Sequence, residues 1–86
     1  MELEILTPVK KIFSDTVYGV QLPGIYGSFE VLEKHTPLVS ALKAGQLKVI
    51  KDKSMKNTSQ YTIDSGFVEV INNKVTVLVE SAAVVE

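Results

Sequence analysis

The chain has 86 residues and a formal net charge of −1, with nine lysines, no arginine, a single histidine and no cysteine. A chain of this length forms one domain, residues 1–86, and buries only about 60–65% of the surface its unfolded form exposes, so a deep catalytic cleft would consume much of its core. The missing cysteines exclude disulfides and thiolate metal sites, the lone His35 excludes a histidine-rich zinc site, and the missing arginine removes the bidentate fork for phosphate or guanine; no nucleic acid and no cofactor is expected.

The hydrophobic period is close to two along almost the whole chain, which predicts strands. Leu3 and Ile5 alternate with Glu2, Glu4 and Leu6 until Thr7-Pro8 ends the run. Lys11-Ile12-Phe13 is a short piece bounded by Ser14-Asp15, and an alternating segment follows from Val17 to the Pro23-Gly24 turn. After Gly27, Phe29 and Val31 bracket Glu30, which predicts that Glu30 points away from the core. An apolar stretch from Pro37 to Leu42 precedes Gly45 and the segment Gln46-Leu47-Lys48-Val49-Ile50. Lys51 to Ser59 reads as an exposed hairpin tip, and Tyr61 and Ile63 mark the return strand. The strongest local signal is Phe67–Ile71 and Val75–Val79 flanking Asn72-Asn73, because asparagine tolerates the positive φ that a two-residue type I′ turn needs. No window carries a helical stripe. Short strands separated by Gly, Pro, Asn and Asp predict an all-β fold, a small two-sheet antiparallel β-sandwich or flattened barrel of about 8–10 short strands.

No apolar run approaches the roughly 18–20 residues of a bilayer span, and the acidic start Met1-Glu2-Leu3-Glu4 is unlike a signal peptide. The expected location is the cytoplasm, with no direct lipid insertion and any membrane association made through partners. Few groups offer chemistry. His35 would be a general base oriented by Glu30 or Glu33 in an enzyme, but no nucleophile elbow or oxyanion hole accompanies it. Asp64, Glu69 and Glu80 read as outward members of alternating strands. Met55-Lys56 at a hairpin tip resembles the modified turn of biotinyl and lipoyl carrier domains, an alternative function in which Lys56 bears the cofactor; Asn57 stands where biotin domains have a second methionine.

The turn-formers between Val17 and Leu47 come in an unusual order: Leu22-Pro23-Gly24, Gly27-Ser28-Phe29-Glu30-Val31-Leu32, then His35-Thr36-Pro37-Leu38-Val39-Ser40-Ala41-Leu42-Lys43 and Gly45. Leu3-Glu4-Ile5-Leu6-Thr7-Pro8 precedes them, and Ser65-Gly66-Phe67-Val68-Glu69-Val70 and Asn73-Lys74-Val75-Thr76-Val77-Leu78 follow. This pattern resembles the epsilon subunit of F-type ATP synthases, called delta in mitochondria, over residues 2–50 and 64–82. The resemblance implies a non-catalytic β-sandwich at the foot of the central stalk, peripheral on the cytoplasmic side of the bacterial inner membrane. It implies two partners, the gamma subunit and the membrane c-ring. By motif it implies that the loop Gly27, Ser28 and Glu30, with His35, faces the ring, and that Thr7, Ser40 and again His35 face gamma.

Two departures accompany the resemblance. Ser28 stands where the family commonly has an acidic residue, and Glu33-Lys34 where it commonly has Pro-Gly. The expectation is that Glu30, with Glu33, supplies the carboxylate toward the ring, so that Glu30→Gln weakens ring coupling more than Ser28→Ala. The sequence also stops at Ala82-Ala83-Val84-Val85-Glu86, where the family usually enters a helical hairpin carrying its inhibitory switch and, in some members, a nucleotide site; neither is expected here.

Overall fold

A computed structural model describes residues 1–85 and contains ten strands. In chain order they are β1 (Glu2–Leu6), β2 (Lys11–Thr16), β3 (Gly19–Gly24), β4 (Gly27–Leu32), β5 (Leu38–Leu42), β6 (Gly45–Ile50), β7 (Thr58–Ile63), β8 (Gly66–Ile71), β9 (Lys74–Val79) and β10 (Ala82–Val85). They hydrogen-bond along one path, β10-β7-β6-β3-β5-β8-β9-β1-β2, with β4 paired to β3. β3 joins the two halves: it pairs with β6 along Gly19–Gln21 and reaches β5 only through Gly24 and Leu42. The path therefore folds over at that corner and encloses one core, which is the expected all-β sandwich or flattened barrel.

The alternation read from the sequence decides which side chains enter the core. Leu3 and Ile5 of β1, Val68 and Val70 of β8, and Val75, Val77 and Val79 of β9 are buried. Register aligns them in rows, Leu3–Val75–Val70–Leu38 and Ile5–Val77–Val68–Ser40. Val20, Leu22, Val31, Leu47, Val49 and Ile63 close the core from the other half. Each fully buried aliphatic side chain contributes about 1.5–3 kcal/mol relative to exposure, so this core is the main source of the domain's cohesion. Phe29 and Leu38 pack against this core and Val31 lies within it, as their strand positions predict.

The turn signals hold well. Asn72 and Asn73 have φ of 50° and 60°, the type I′ geometry that joins β8 to β9. Three features go beyond the sequence reading. β1 pairs with β9 in parallel, whereas every other ladder is antiparallel. β2 runs on through Ser14 and Asp15 to Thr16, because β1 gives these polar residues backbone partners while their side chains stay in water; the Thr16 hydroxyl also donates to Glu2 Oε1 at 2.7 Å. Ala82–Val85 is a strand, paired to β7 from Ala82↔Ile63 to Val85↔Gln60.

Candidate docking surface

The outer face of β5, β8, β9 and β1 carries the residues of opposite parity to the core. One row across it, Glu4–Thr76–Glu69–Val39, is mostly polar. The adjacent row is apolar: Leu6 faces Leu78, Leu78 faces Phe67, and Phe67 faces Ala41. The row continues past β5, since the Ile25 backbone N–H donates to the Ala41 carbonyl at 3.2 Å. Leu78 is 51% exposed, Phe67 58% and Ile25 47%. With neighbouring strands ~4.8 Å apart, this band is about 20 Å long. Beside it, Leu6, Pro8, Leu42, Gly66, Phe67 and Leu78 are among the residues that line a shallow cavity of about 500 Å³. Apolar side chains at outward positions of four adjacent strands, rather than scattered singly, form a contiguous band of the kind that interaction sites carry.

Ionic contacts hold the sheet beside the band. Glu4 accepts from Lys11 Nζ at 3.0 Å and from Lys74 Nζ at 3.3 Å, tying β1 to both its neighbours. Lys11, and then Lys74, holds the Glu4 carboxyl below its usual range. A depressed folded-state pKa contributes stability that is present above the unfolded carboxylate value and is lost as pH falls through the folded one. Melting temperature therefore declines on acidification below about pH 4. Glu4→Gln removes part of that decline. The Asp52 carboxyl is lowered in the same direction by Ser54 and Asn57, so the comparison of the two proteins across the pH series isolates Glu4. Identical slopes would show that the Lys11–Glu4–Lys74 bridge adds nothing.

The residues singled out from the sequence do not gather at one place. Thr7 lies at the Leu6 end of the band, where its N–H and its hydroxyl both donate to the Lys10 carbonyl, at 2.9 and 3.2 Å, and its hydroxyl accepts from the Lys10 N–H at 3.3 Å. Ser40 has core-facing parity, in register with Val68, and its hydroxyl donates to the Ala41 carbonyl at 3.4 Å. Gly27 and Ser28 open β4 beside the Gly24–Leu42 corner. Gly27 has φ +133°, a value that excludes most side chains even though space is free around it. Glu30 is exposed, as expected, and two residues from Ser28 on the same strand face. Glu33 and His35 lie past the other end of β4, near the Asn72-Asn73 turn, where the Lys34 N–H donates to Asn73 Oδ1 at 2.8 Å. His35 Nδ1 is 2.7 Å from the Thr36 carbonyl; a carbonyl only accepts, so this nitrogen carries the hydrogen and is bonded to backbone rather than to Glu30, Glu33 or a serine. Lys56 is exposed in a loop organised by Asp52, which accepts from the Ser54 N–H and hydroxyl and from the Asn57 side chain. Asp64, Glu69 and Glu80 are exposed. The band itself escaped sequence reading, although its signal was present: Leu6, Phe67 and Leu78 are apolar at the outward positions of alternating strands.

A β-sandwich with an apolar core, exposed carboxylates and an apolar band on its outer face has the make-up of a docking domain, which acts through the surfaces it presents. Residues 1–85 match the family described as "ATP synthase, Delta/Epsilon chain, beta-sandwich domain", and the chain belongs to that family. It is 48% identical over 80 residues to the ATP synthase epsilon chain of Desulfatibacillum aliphaticivorans, covering 93% of this chain and 55% of that protein. The chain thus spans little more than half the length of that relative. It is 38% identical to the ATP synthase epsilon chain of Chlorobium limicola, covering 95% of this chain and 91% of that one. In fold it is similar to a chain in the cryo-EM structure of the Tetrahymena thermophila mitochondrial ATP synthase central stalk and c-ring, with TM-score 0.80, 22% identity, and coverage of 95% of this chain and 64% of that one. Membership of this family displaces the carrier reading of Lys56 and the hydrolase reading of His35.

Proposed function

We propose that the chain is a non-catalytic central-stalk subunit of an F-type ATP synthase, a rigid clamp that joins the gamma subunit to the membrane c-ring so that ion-driven rotation is coupled to ATP synthesis. The observation that carries this reading is the Leu6–Leu78–Phe67–Ala41–Ile25 band. A torque-bearing joint needs a face that stays dry under load, and apolar area on a hydrogen-bonded sheet supplies it without ordering flexible side chains. Gamma covers this band, with Thr7 at one end; the loop Gly27, Ser28 and Glu30 meets the ring. Glu30 shares a strand face with Ser28, which favours it over Glu33 as the carboxylate of that contact. The subunit works on the cytoplasmic side of the bacterial membrane, held there by its partners.

The purified chain captures gamma subunit from the same organism in a one-to-one complex, and adding it to the catalytic sector leaves ATP hydrolysis without strong inhibition. Failure to capture gamma, from protein that is folded by circular dichroism, would sink the proposal.

A further inference from the structure

We infer that Asn73 is a positioning residue for the gamma contact, its side-chain carbonyl holding the segment 33–37 so that His35 is presented in one orientation. The inference rests on the proposed stalk function, with His35 facing gamma. The segment joins β4 to β5, and so crosses from the β3–β4 pair to the sheet that carries the apolar band. It belongs to no strand. Among the described residues, the bond from the Lys34 N–H to Asn73 Oδ1, at 2.8 Å, is the one hydrogen bond that ties it to another element. The contact of His35 Nδ1 with the Thr36 carbonyl, at 2.7 Å, lies within the segment and does not fix its place on the sheet.

Two features make that bond matter. Lys34 has φ of 64°, in the left-handed region that glycine enters freely and a lysine only with strain. Released, the lysine returns to its ordinary backbone region and turns the neighbouring His35 with it. Asn73, by contrast, is itself fixed. Its φ of 60° belongs to the type I′ turn, and its main-chain carbonyl accepts from the Glu2 N–H at 3.1 Å. The side chain that holds Lys34 therefore stands on a frame made by β1, β8 and β9, the strands that carry Leu6, Phe67 and Leu78. Lys34 is exposed, whereas His35 and Asn73 are half-buried. A segment that is already ordered loses less freedom when a partner closes over it, and the difference appears as affinity.

The test reads the Lys34 amide by hydrogen exchange in NMR, and gamma affinity by titration with purified gamma subunit. Asn73→Gly is the informative variant: Asn-Gly is a favoured type I′ pair, so the β8–β9 turn and the melting temperature are kept while the acceptor is removed. Exchange of the Lys34 amide rises at least about tenfold, and gamma affinity falls about fivefold. Asn73→Asp keeps an acceptor oxygen and holds exchange and affinity to within about twofold of wild type. In a His35→Ala background, which itself weakens gamma binding, Asn73→Gly lowers affinity by less than about a further twofold, since the two residues act through one contact. Unchanged Lys34 exchange in Asn73→Gly overturns the inference. So does faster exchange with unchanged gamma affinity, or losses that add in the double variant, and these leave the stalk reading intact. Failure of the wild-type chain to bind gamma counts against the stalk reading itself, and the exchange rates still decide whether Asn73 holds the segment.

Discussion

Gly66→Ala destabilises the domain by about 3 kcal/mol or more, a drop in melting temperature of roughly 12–24 °C for a domain of this size. A Cβ at Gly66 would overlap the Leu78 carbonyl oxygen and lie 2.8 Å from Val79 Cα. Both are backbone atoms of the neighbouring strand, so no rotamer change relieves the overlap. Relief requires β8 and β9 to part at Gly66↔Val79, the pair at the open end of the ladder. That ladder carries Val68, Val70, Val75 and Val77 into the core and Phe67 and Leu78 onto the outer face. Gly45→Ala is the internal control. There the added carbon meets the Pro23 side chain at 3.1 Å, and a shift of a few tenths of an ångström suffices. Thermal and urea denaturation followed by circular dichroism distinguish the two. Equal, small losses in both variants would mean that β8 and β9 lie farther apart at Gly66 than these distances indicate.

Much of this architecture is legible in the sequence because local chemistry specifies it. Asn72-Asn73 between two valine-rich runs writes the β8–β9 hairpin, and Gly27 writes the start of β4. What was not legible depends on residues far apart in the chain. The β1–β9 pair is parallel and joins Leu3 to Val75, and no turn signal announces such a pairing. β10 escaped notice because Ala82–Val85 has no alternation; it becomes a strand only when β7 offers an edge to it. The same limit applies to the site. Leu6, Ala41, Phe67 and Leu78 can each be recognised as apolar, but only the registers of three ladders align them in one row. The separation of Ser28 from His35 by the length of β4 could not be read from their closeness in sequence. It follows from the strand running extended, at about 3.3 Å per residue.

Phe67→Asp cuts capture of the gamma subunit by at least about 30-fold, equivalent to the roughly 2 kcal/mol that marks an interface hot spot, while melting temperature stays close to wild type. The two halves of this prediction rest on one fact. Phe67 is 58% exposed and stands on the outer face, so removing its ring opens no cavity in the core and adds no buried charge to the isolated domain. Once a partner covers the band, the new carboxylate is surrounded by Leu78 and Ala41 and the partner's own surface, and it has lost its water without gaining a cation. Lys43, at the end of β5, is solvent-exposed rather than in the row and does not compensate. Leu78→Asp acts in the same way. Val39→Asp, on the polar row beside Glu69 and at the margin of the band, weakens capture by no more than about fivefold. That gradient from centre to margin separates a docking face from a general effect of negative charge, because all three variants change the net charge equally. If Val39→Asp proves as harmful as Phe67→Asp, gamma is attracted by the overall field of the domain and not seated on this row. If none of the three matters, the apolar band faces something other than gamma, and the stalk contact lies elsewhere on the domain.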